Sequence, residues 1–217
     1  MSIKVKICGI TSLEDARFAA GAGADFLGFI QYMGSPRYIT PQAAKAIIDW
    51  VYGSESVGVF VNEDADTINQ VAEAAGFDLV QLHGDESPEV CAAVAPPVIK
   101  AIRVAPDDTA VTLRARMEPY RPHVPYFLLD THHADLWGGT GEPFDWQQAH
   151  ALTDDFPILL AGGINAENVE QAIRTVQPLG VDLSSSLEEA PGRKDFDKLT
   201  AFFDVFNALR EDLVENQ

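Results

Sequence analysis

Residues 157–184 read PILLAGGINAENVEQAIRTVQPLGVDLS, and their pattern decides the fold. Pro157-Ile-Leu-Leu-Ala161 is a short run, apolar throughout, as strands covered on both faces are. Gly162-Gly163-Ile164-Asn165 is a small-residue turn. Val169, Ala172, Ile173 and Val176 then fall at i, i+3, i+4 and i+7, the stripe of an amphipathic helix. Gly180–Ser184 opens the next strand.

The same unit recurs in both directions along the chain. Strand candidates precede it at Ile3–Cys8, Asp25–Ile30, Ser56–Val61, Asp78–Leu82, Val98–Val104 and Tyr126–Asp130, which makes eight in all. Helical stripes repeat at Ala44, Ile47, Ile48 and Val51, at Ile68, Val71, Ala72 and Ala75, and at Phe196, Leu199, Phe203 and Phe206. Thr40-Pro41 and Ser87-Pro88 place an N-cap hydroxyl before a proline at the first helical position, and Thr11 with Glu14 suits a capping box. Eight β/α units of about 27 residues each predict a single (βα)8 TIM barrel, α/β in class, spanning residues 1–217 without linker or second domain. An open doubly wound sheet is the rival, and eight near-equal units favour the barrel.

Composition narrows the function. The chain has 217 residues, 47% of them hydrophobic and 22% charged, which is ordinary globular usage. With 15 basic and 33 acidic side chains the formal charge is −18, at a pI of about 4.4. Nucleic-acid binding needs a basic footprint and is not expected. No apolar run approaches the ~18 residues of a membrane span, and Met1–Lys6 lacks a signal core. Two cysteines cannot build a disulfide framework, so a cytoplasmic location is expected. The expected partner is a small molecule. Monomer and homodimer are not distinguished.

A barrel carries its chemistry at the C-terminal ends of its strands. Reading only those positions leaves Cys8-Gly9, Gly34-Ser-Pro-Arg37, Val61-Asn62, Gln81-Leu-His-Gly-Asp85, Asp130-Thr131, Ala161–Asn165 and Asp182–Ser186. Roughly fourteen residues containing Gly138-Gly-Thr-Gly141 follow strand six, a length that suits a lid. Gly162 and Gly163 let backbone approach a ligand closely, and Asn165 is placed to cap a helix from Ala166. Small hydroxyl residues after strand eight, Ser184, Ser185 and Ser186, suit a further helical turn. Free N–H groups at such ends bind anions, and barrels often hold phosphate after strands seven and eight.

Taken together these segments resemble the phosphoribosylanthranilate isomerase family. The likeness rests on Lys6-Ile-Cys-Gly-Ile-Thr11, Gln81–Asp85, Leu128-Leu-Asp-Thr131, Gly138–Gly141, Phe144-Asp-Trp146, Leu160–Asn165, Val181–Ser186 and Pro191-Gly-Arg-Lys-Asp195. It implies a barrel enzyme of tryptophan biosynthesis, without cofactor or metal, that performs an Amadori rearrangement on a phosphosugar. Cys8 matches the family's general base and Asp130 its general acid. Arg37 matches the arginine that meets the anthranilate carboxylate. Gly162, Gly163, Ser184 and Ser185 match its phosphate loops, with Ser186 beside them where the family commonly has glycine. His83, Asp182 and Gly141 complete the expected lining of the mouth.

Each role carries a physical requirement. A free thiol near ~8.5 is only slightly ionised at neutral pH, so a basic Cys8 is expected to have help toward the thiolate. Cys91, on the apolar side of a short helix, reads as packing. His132 and His133 lack the carboxylate cluster of a metal site. A metal-dependent epimerase would need inward His and Asp ligands on several strands. A bifunctional isomerase also serving histidine synthesis would need an acid where strand one ends in Cys8. A non-catalytic phosphate-binding barrel would not need Cys8, Asp130 and Arg37 together.

Overall fold

A computed structural model describes residues 3–131 and 146–215. Eight strands, β1 (Lys4–Cys8), β2 (Phe26–Ile30), β3 (Glu55–Phe60), β4 (Leu79–Leu82), β5 (Val98–Val104), β6 (Tyr126–Thr131), β7 (Ile158–Leu160) and β8 (Gly180–Leu183), close into a barrel in chain order. Every neighbouring pair is parallel, including the closing pair of β8 with β1. The helices are α1 (Leu13–Ala22), α2 (Pro41–Ile48), α3 (Ala65–Ala75), α4 (Pro88–Ala93), α5 (Ala110–Met117), α6 (Trp146–His150), α7 (Val169–Val176) and α8 (Phe196–Glu215). One antiparallel hairpin was not expected: β9 (Glu188–Ala190) with β10 (Arg193–Lys194), inserted between β8 and α8.

Alternation along the strands divides the apolar side chains into two bodies. Phe26, Val57, Leu79, Ile99, Ala101, Leu128, Leu159 and Ala161 fill the barrel interior. A much larger set, including Val5, Ile7, Leu27, Phe29, Leu113, Ile173 and Phe206, packs between sheet and helices. The interior cluster is apolar toward the strand starts, so polar side chains that share the inward face collect at the opposite, C-terminal mouth.

Local signals held with informative exceptions. Thr40 caps α2 through Ala43 N–H, with Pro41 in the first turn. At α1 the cap is Ser12, accepting from Asp15 N–H, and not Thr11. Thr11 instead gives its hydroxyl to the Gly192 carbonyl in the β9–β10 turn. Ser87 holds the cap position of α4 but makes no backbone cap bond, its hydroxyl being engaged with the Glu89 side chain. Val51 lies beyond the end of α2, and α7 starts at Val169, not at Ala166. Asn165 caps a preliminary turn, accepting from the N–H groups of Glu167 and Asn168.

Helix α8 buries more than its expected stripe. Leu199, Phe203 and Phe206 are buried as read, and so is Phe202, fully covered and packed on the Phe203 and Phe206 rings at 5.2 and 5.7 Å. Removing that ring leaves a cavity in the buried apolar layer between sheet and helices that cannot fully collapse. Phe202→Ala should therefore lower unfolding free energy by about 3–5 kcal/mol in a denaturant titration, while leaving the mouth chemistry intact.

Candidate active site

The mouth is organised by four strand ends. On β1, Lys6 and Cys8 stand two residues apart and share the inward face. The Lys6 ammonium is fully buried and donates to Asp182 of β8 at 2.8 Å. Its charge also acts on the Cys8 thiol beside it. Both atoms lie over Gly28 of β2, where an added Cβ would come within 2.8 Å of the Cys8 Sγ and 3.1 Å of the Lys6 Nζ. Glycine at that point of β2 is a space requirement of the site. Lys6 was missed as a site residue, although its i, i+2 relation to Cys8 was legible.

Across the mouth, Asp130 ends buried on β6 with its Oδ2 3.4 Å from the His83 Nε2. His83 follows β4, and its Nδ1 lies 2.8 Å from the Gln81 amide nitrogen. Its ring thus faces side chains, not backbone. Asp182 stands between the two sides, since its charge is felt by Cys8 while Asp130 and His83 act on it in turn.

Burial dominates the titration of this group. It pushes the Cys8 thiol upward, with the Asp182 charge adding to it and the ammonium groups of Lys6 and Lys194 pulling it back. This corrects the expectation of a thiol already drawn toward the thiolate: help is present, but desolvation exceeds it. Asp182 is also raised, chiefly by burial against the opposing pull of Lys6. Lys6 is raised, since Asp182 and Cys8 together outweigh its desolvation. Cys91 is buried as expected, and burial lifts its thiol to about 11.

The phosphate candidates also meet at this end. Gly162 and Gly163 take φ of +85° and +77°, a pair of conformations that side chains resist. The Gly163 carbonyl is held by the side-chain amides of Asn165 and Asn168, at 3.2 and 2.9 Å. Among the described residues the N–H groups of Gly162, Gly163 and Ser186 make no hydrogen bond. Ser185–Leu187 forms the expected helical turn, and Ser186 sits in it without a positive φ, so its backbone places no demand for glycine. Neither loop holds a Lys or Arg of its own, but Lys194 reaches in from β10 to donate to the Ser184 carbonyl at 3.2 Å and the Cys8 carbonyl at 2.6 Å.

Arg37, in the loop after β2, lies at the same rim. Its guanidinium is paired with Glu188 of the hairpin at 2.7 and 2.9 Å. A surface cleft of about 680 Å³ runs elsewhere, between Thr11–Asp15 and Glu189–Asp197, and holds none of these catalytic candidates. Gly141, with the remainder of the expected lid, and His132 and His133 lie outside the described residues.

Known proteins share this sequence and fold. Residues 5–205 match the family described as N-(5'phosphoribosyl)anthranilate (PRA) isomerase. The chain belongs to that family. An N-(5'-phosphoribosyl)anthranilate isomerase of Pelobacter propionicus is 46% identical over 211 residues, covering 97% of this chain and 98% of the relative. The phosphoribosyl anthranilate isomerase of Thermotoga maritima superposes with a TM-score of 0.86 at 40% identity, covering 95% and 99% of the two chains. A phosphoribosyl anthranilate isomerase solved with reduced 1-(o-carboxyphenylamino)-1-deoxyribulose 5-phosphate gives 0.82 at 39% identity, with the same coverage.

Glu188 supplies a pH test of this PRA-isomerase rim. Despite its burial, Arg37 and Lys194 hold its carboxyl below the ordinary 4.5. A depressed carboxyl stabilises the fold above its unfolded value and loses that contribution as pH falls through the folded value. Glu188→Gln should thus be less stable than the unaltered protein at neutral pH. The difference in denaturant midpoint should shrink as pH is lowered below 4.5.

Proposed function

We infer that Cys8 and Asp130 are the base and acid with which this chain performs its family's reaction. It isomerises N-(5-phosphoribosyl)anthranilate to 1-(2-carboxyphenylamino)-1-deoxyribulose 5-phosphate, an Amadori rearrangement in tryptophan biosynthesis. The observation that carries the assignment is the meeting of a thiol on β1 and a buried carboxyl on β6 around one mouth, with Asp182 coupled to both.

The chemistry needs one proton in and one out. Asp130 delivers a proton to the furanose ring oxygen, and the ring opens to a Schiff base. Cys8 then takes the proton from the ribose C2, leaving an enolamine that tautomerises to the ketone. A buried thiolate needs a counter-charge, and the Lys6 ammonium, which shares the inward face of β1 with the thiol, provides it. Asp182 keeps Lys6 in place. His83 borders Asp130 and orients that carboxyl across the site.

Binding is divided between the two ends of the substrate. The backbone N–H groups of Gly162, Gly163 and the Ser184–Ser186 turn receive the phosphate, and Arg37 receives the anthranilate carboxylate. No step calls for a metal or cofactor, so turnover should persist unchanged in EDTA.

Loss of substrate fluorescence measures turnover directly. Cys8→Ala and Asp130→Asn should each lower kcat by ~10²–10⁴-fold with a much smaller change in KM. Because burial raises the Cys8 thiol, the ascending limb of kcat/KM should lie on the alkaline side of an ordinary thiol and vanish in Cys8→Ala. Near-normal kcat in both variants would defeat the assignment. If Cys8→Ala alone stayed active, Asp182 would become the base.

Phosphate recognition is tested separately. Inorganic phosphate or sulfate should compete with substrate. Gly163→Val forces a branched side chain into a φ of +77° and should act mainly on KM. A phosphate-soaked crystal with the anion away from both loops would contradict this placement.

A further inference from the structure

The hairpin between β8 and α8 contributes two buried charges to a rim whose other members come from β1, β2 and β8. Glu188 Oε1 accepts from Arg37 Nε at 2.9 Å, Lys194 Nζ at 3.0 Å and Gly192 N–H at 3.4 Å. Its Oε2 accepts from Arg37 Nη2 at 2.7 Å and Nε at 3.1 Å. Lys194 spends its three ammonium hydrogens on Glu188, the Cys8 carbonyl and the Ser184 carbonyl. One chain of contacts therefore joins the carboxylate-binding arginine to the strand of the base and to a phosphate loop.

The backbone is shaped around this chain. Gly9, next to Cys8, takes a φ of +82°, and a Cβ there would lie 2.8 Å from Arg37 Cδ and 3.3 Å from both Glu188 Oε1 and Ser184 Oγ. Glu188 occupies the Nε–Nη2 edge of the guanidinium, which fixes its plane and direction. Nη1 makes no hydrogen bond among the described residues. The three side chains carry two positive charges and one negative, so one further carboxylate completes the set.

We propose that Glu188 is a positioning and specificity residue: it holds Arg37 by one edge so that the other edge selects a substrate carboxylate, while Lys194 ties this unit to the base and the phosphate loop. The proposal rests on the reading of Arg37 as the group that meets the anthranilate carboxylate. An arginine already held loses little rotamer freedom when its ligand arrives, and a guanidinium fixed in direction discriminates a planar carboxylate from a neutral ring. Held this way, Arg37 also keeps its distance from the phosphate loop constant, so a ligand of the right length engages both ends at once.

Glu188→Asp tests this, because it keeps the charge and withdraws it by one methylene. Binding to the full chain is measured by calorimetry for three probes. These are reduced 1-(o-carboxyphenylamino)-1-deoxyribulose 5-phosphate, its phenylamino counterpart without the carboxylate, and inorganic phosphate. The first should bind about tenfold more weakly to Glu188→Asp, the other two within about twofold of the unaltered protein. In an Arg37→Met background the same change should add less than about twofold to the first probe, since Glu188 then has nothing to hold. Unchanged or tighter binding of the carboxylate probe, or equal loss for all three, overturns the proposal. Should Glu188→Asp fail to fold, the unaltered protein still decides. Its Arg37 Nε–H resonance should be protected from solvent exchange before any ligand is added, and rapid exchange overturns the proposal. Failure of the isomerase reading looks different: the unaltered protein would then show no preference for the carboxylate probe over its neutral counterpart.

Discussion

The pairing of β8 with β1 is the contact on which the rest of the molecule depends. Its register sets Lys4 beside Gly180, Lys6 beside Asp182 and Ile7 beside Leu183. The approach is close enough that a Cβ on Gly180 would stand 2.5 Å from the Lys4 carbonyl oxygen. Closing the ring there joins the first strand of the barrel to its eighth. A thiol at residue 8 and the serine turn near residue 185 become neighbours only through that seam. A slip of one residue would turn Asp182 out of the barrel and strand the Lys6 ammonium in an apolar interior.

Buried charge at the mouth solves a problem created by the strand ends. Where ladders stop, carbonyls remain without ladder partners, and a buried carbonyl left unpaired is costly. Two lysines answer this on separate arcs of the rim. Lys194 donates to the carbonyls of Cys8 and Ser184, and Lys100 of β5 donates to those of Leu82 and Gly84 at 3.2 and 2.7 Å. Each then needs a counter-charge, and each has a buried glutamate: Glu188 for Lys194 and Glu86 for Lys100. Glu86 in turn accepts from the N–H groups of Asn62 and Gly84, which draws the loops after β3 and β4 together beneath His83. Apolar substitutes of similar volume often stabilise a fold as well as a buried ion pair does. They could not present directed donors to four backbone carbonyls.

How much of this was legible follows from how local each cause is. Period and alternation are local, so all eight strands were placed to within a residue or so of their ends, and Val169, Ala172, Ile173 and Val176 are all buried as read. The polar strand ends could be picked out once a barrel was assumed, which brought Cys8, His83, Asp130 and Asp182 to one mouth. Caps failed where a tertiary partner outbid the local one, as when Gly192 took the Thr11 hydroxyl. The sign of the Cys8 shift could not be read, because it is a balance between burial and ammonium groups on two distant segments. Glu188 carried no local signal, and Lys194 stood only inside the Pro191–Asp195 motif, with no role attached to it. Their importance comes from a hairpin that returns to a rim some 150 residues away from Arg37 in sequence, the Arg37–Glu188 separation being 151.

That separation bears on how a chain of charge −18 holds a substrate with a phosphate at one end and a carboxylate at the other. A basic surface would attract such a ligand but would not orient it, and exposed charge is screened within about 8–10 Å at physiological salt. In the proposed binding mode the attraction is built from short-range parts. Turn N–H groups would receive one end and a held guanidinium the other, with the ammonium of Lys194 bonded to Ser184 and Glu188 behind them. Each works only over hydrogen-bonding distance, in a mouth where burial lowers the local dielectric and strengthens it. The acidic exterior is thus free to serve solubility, because recognition does not draw on it. In that mode an anion that meets only one of the two ends gains only part of the interaction, so the distance between the ends, set through the hairpin and the closing seam, would decide which anions are kept.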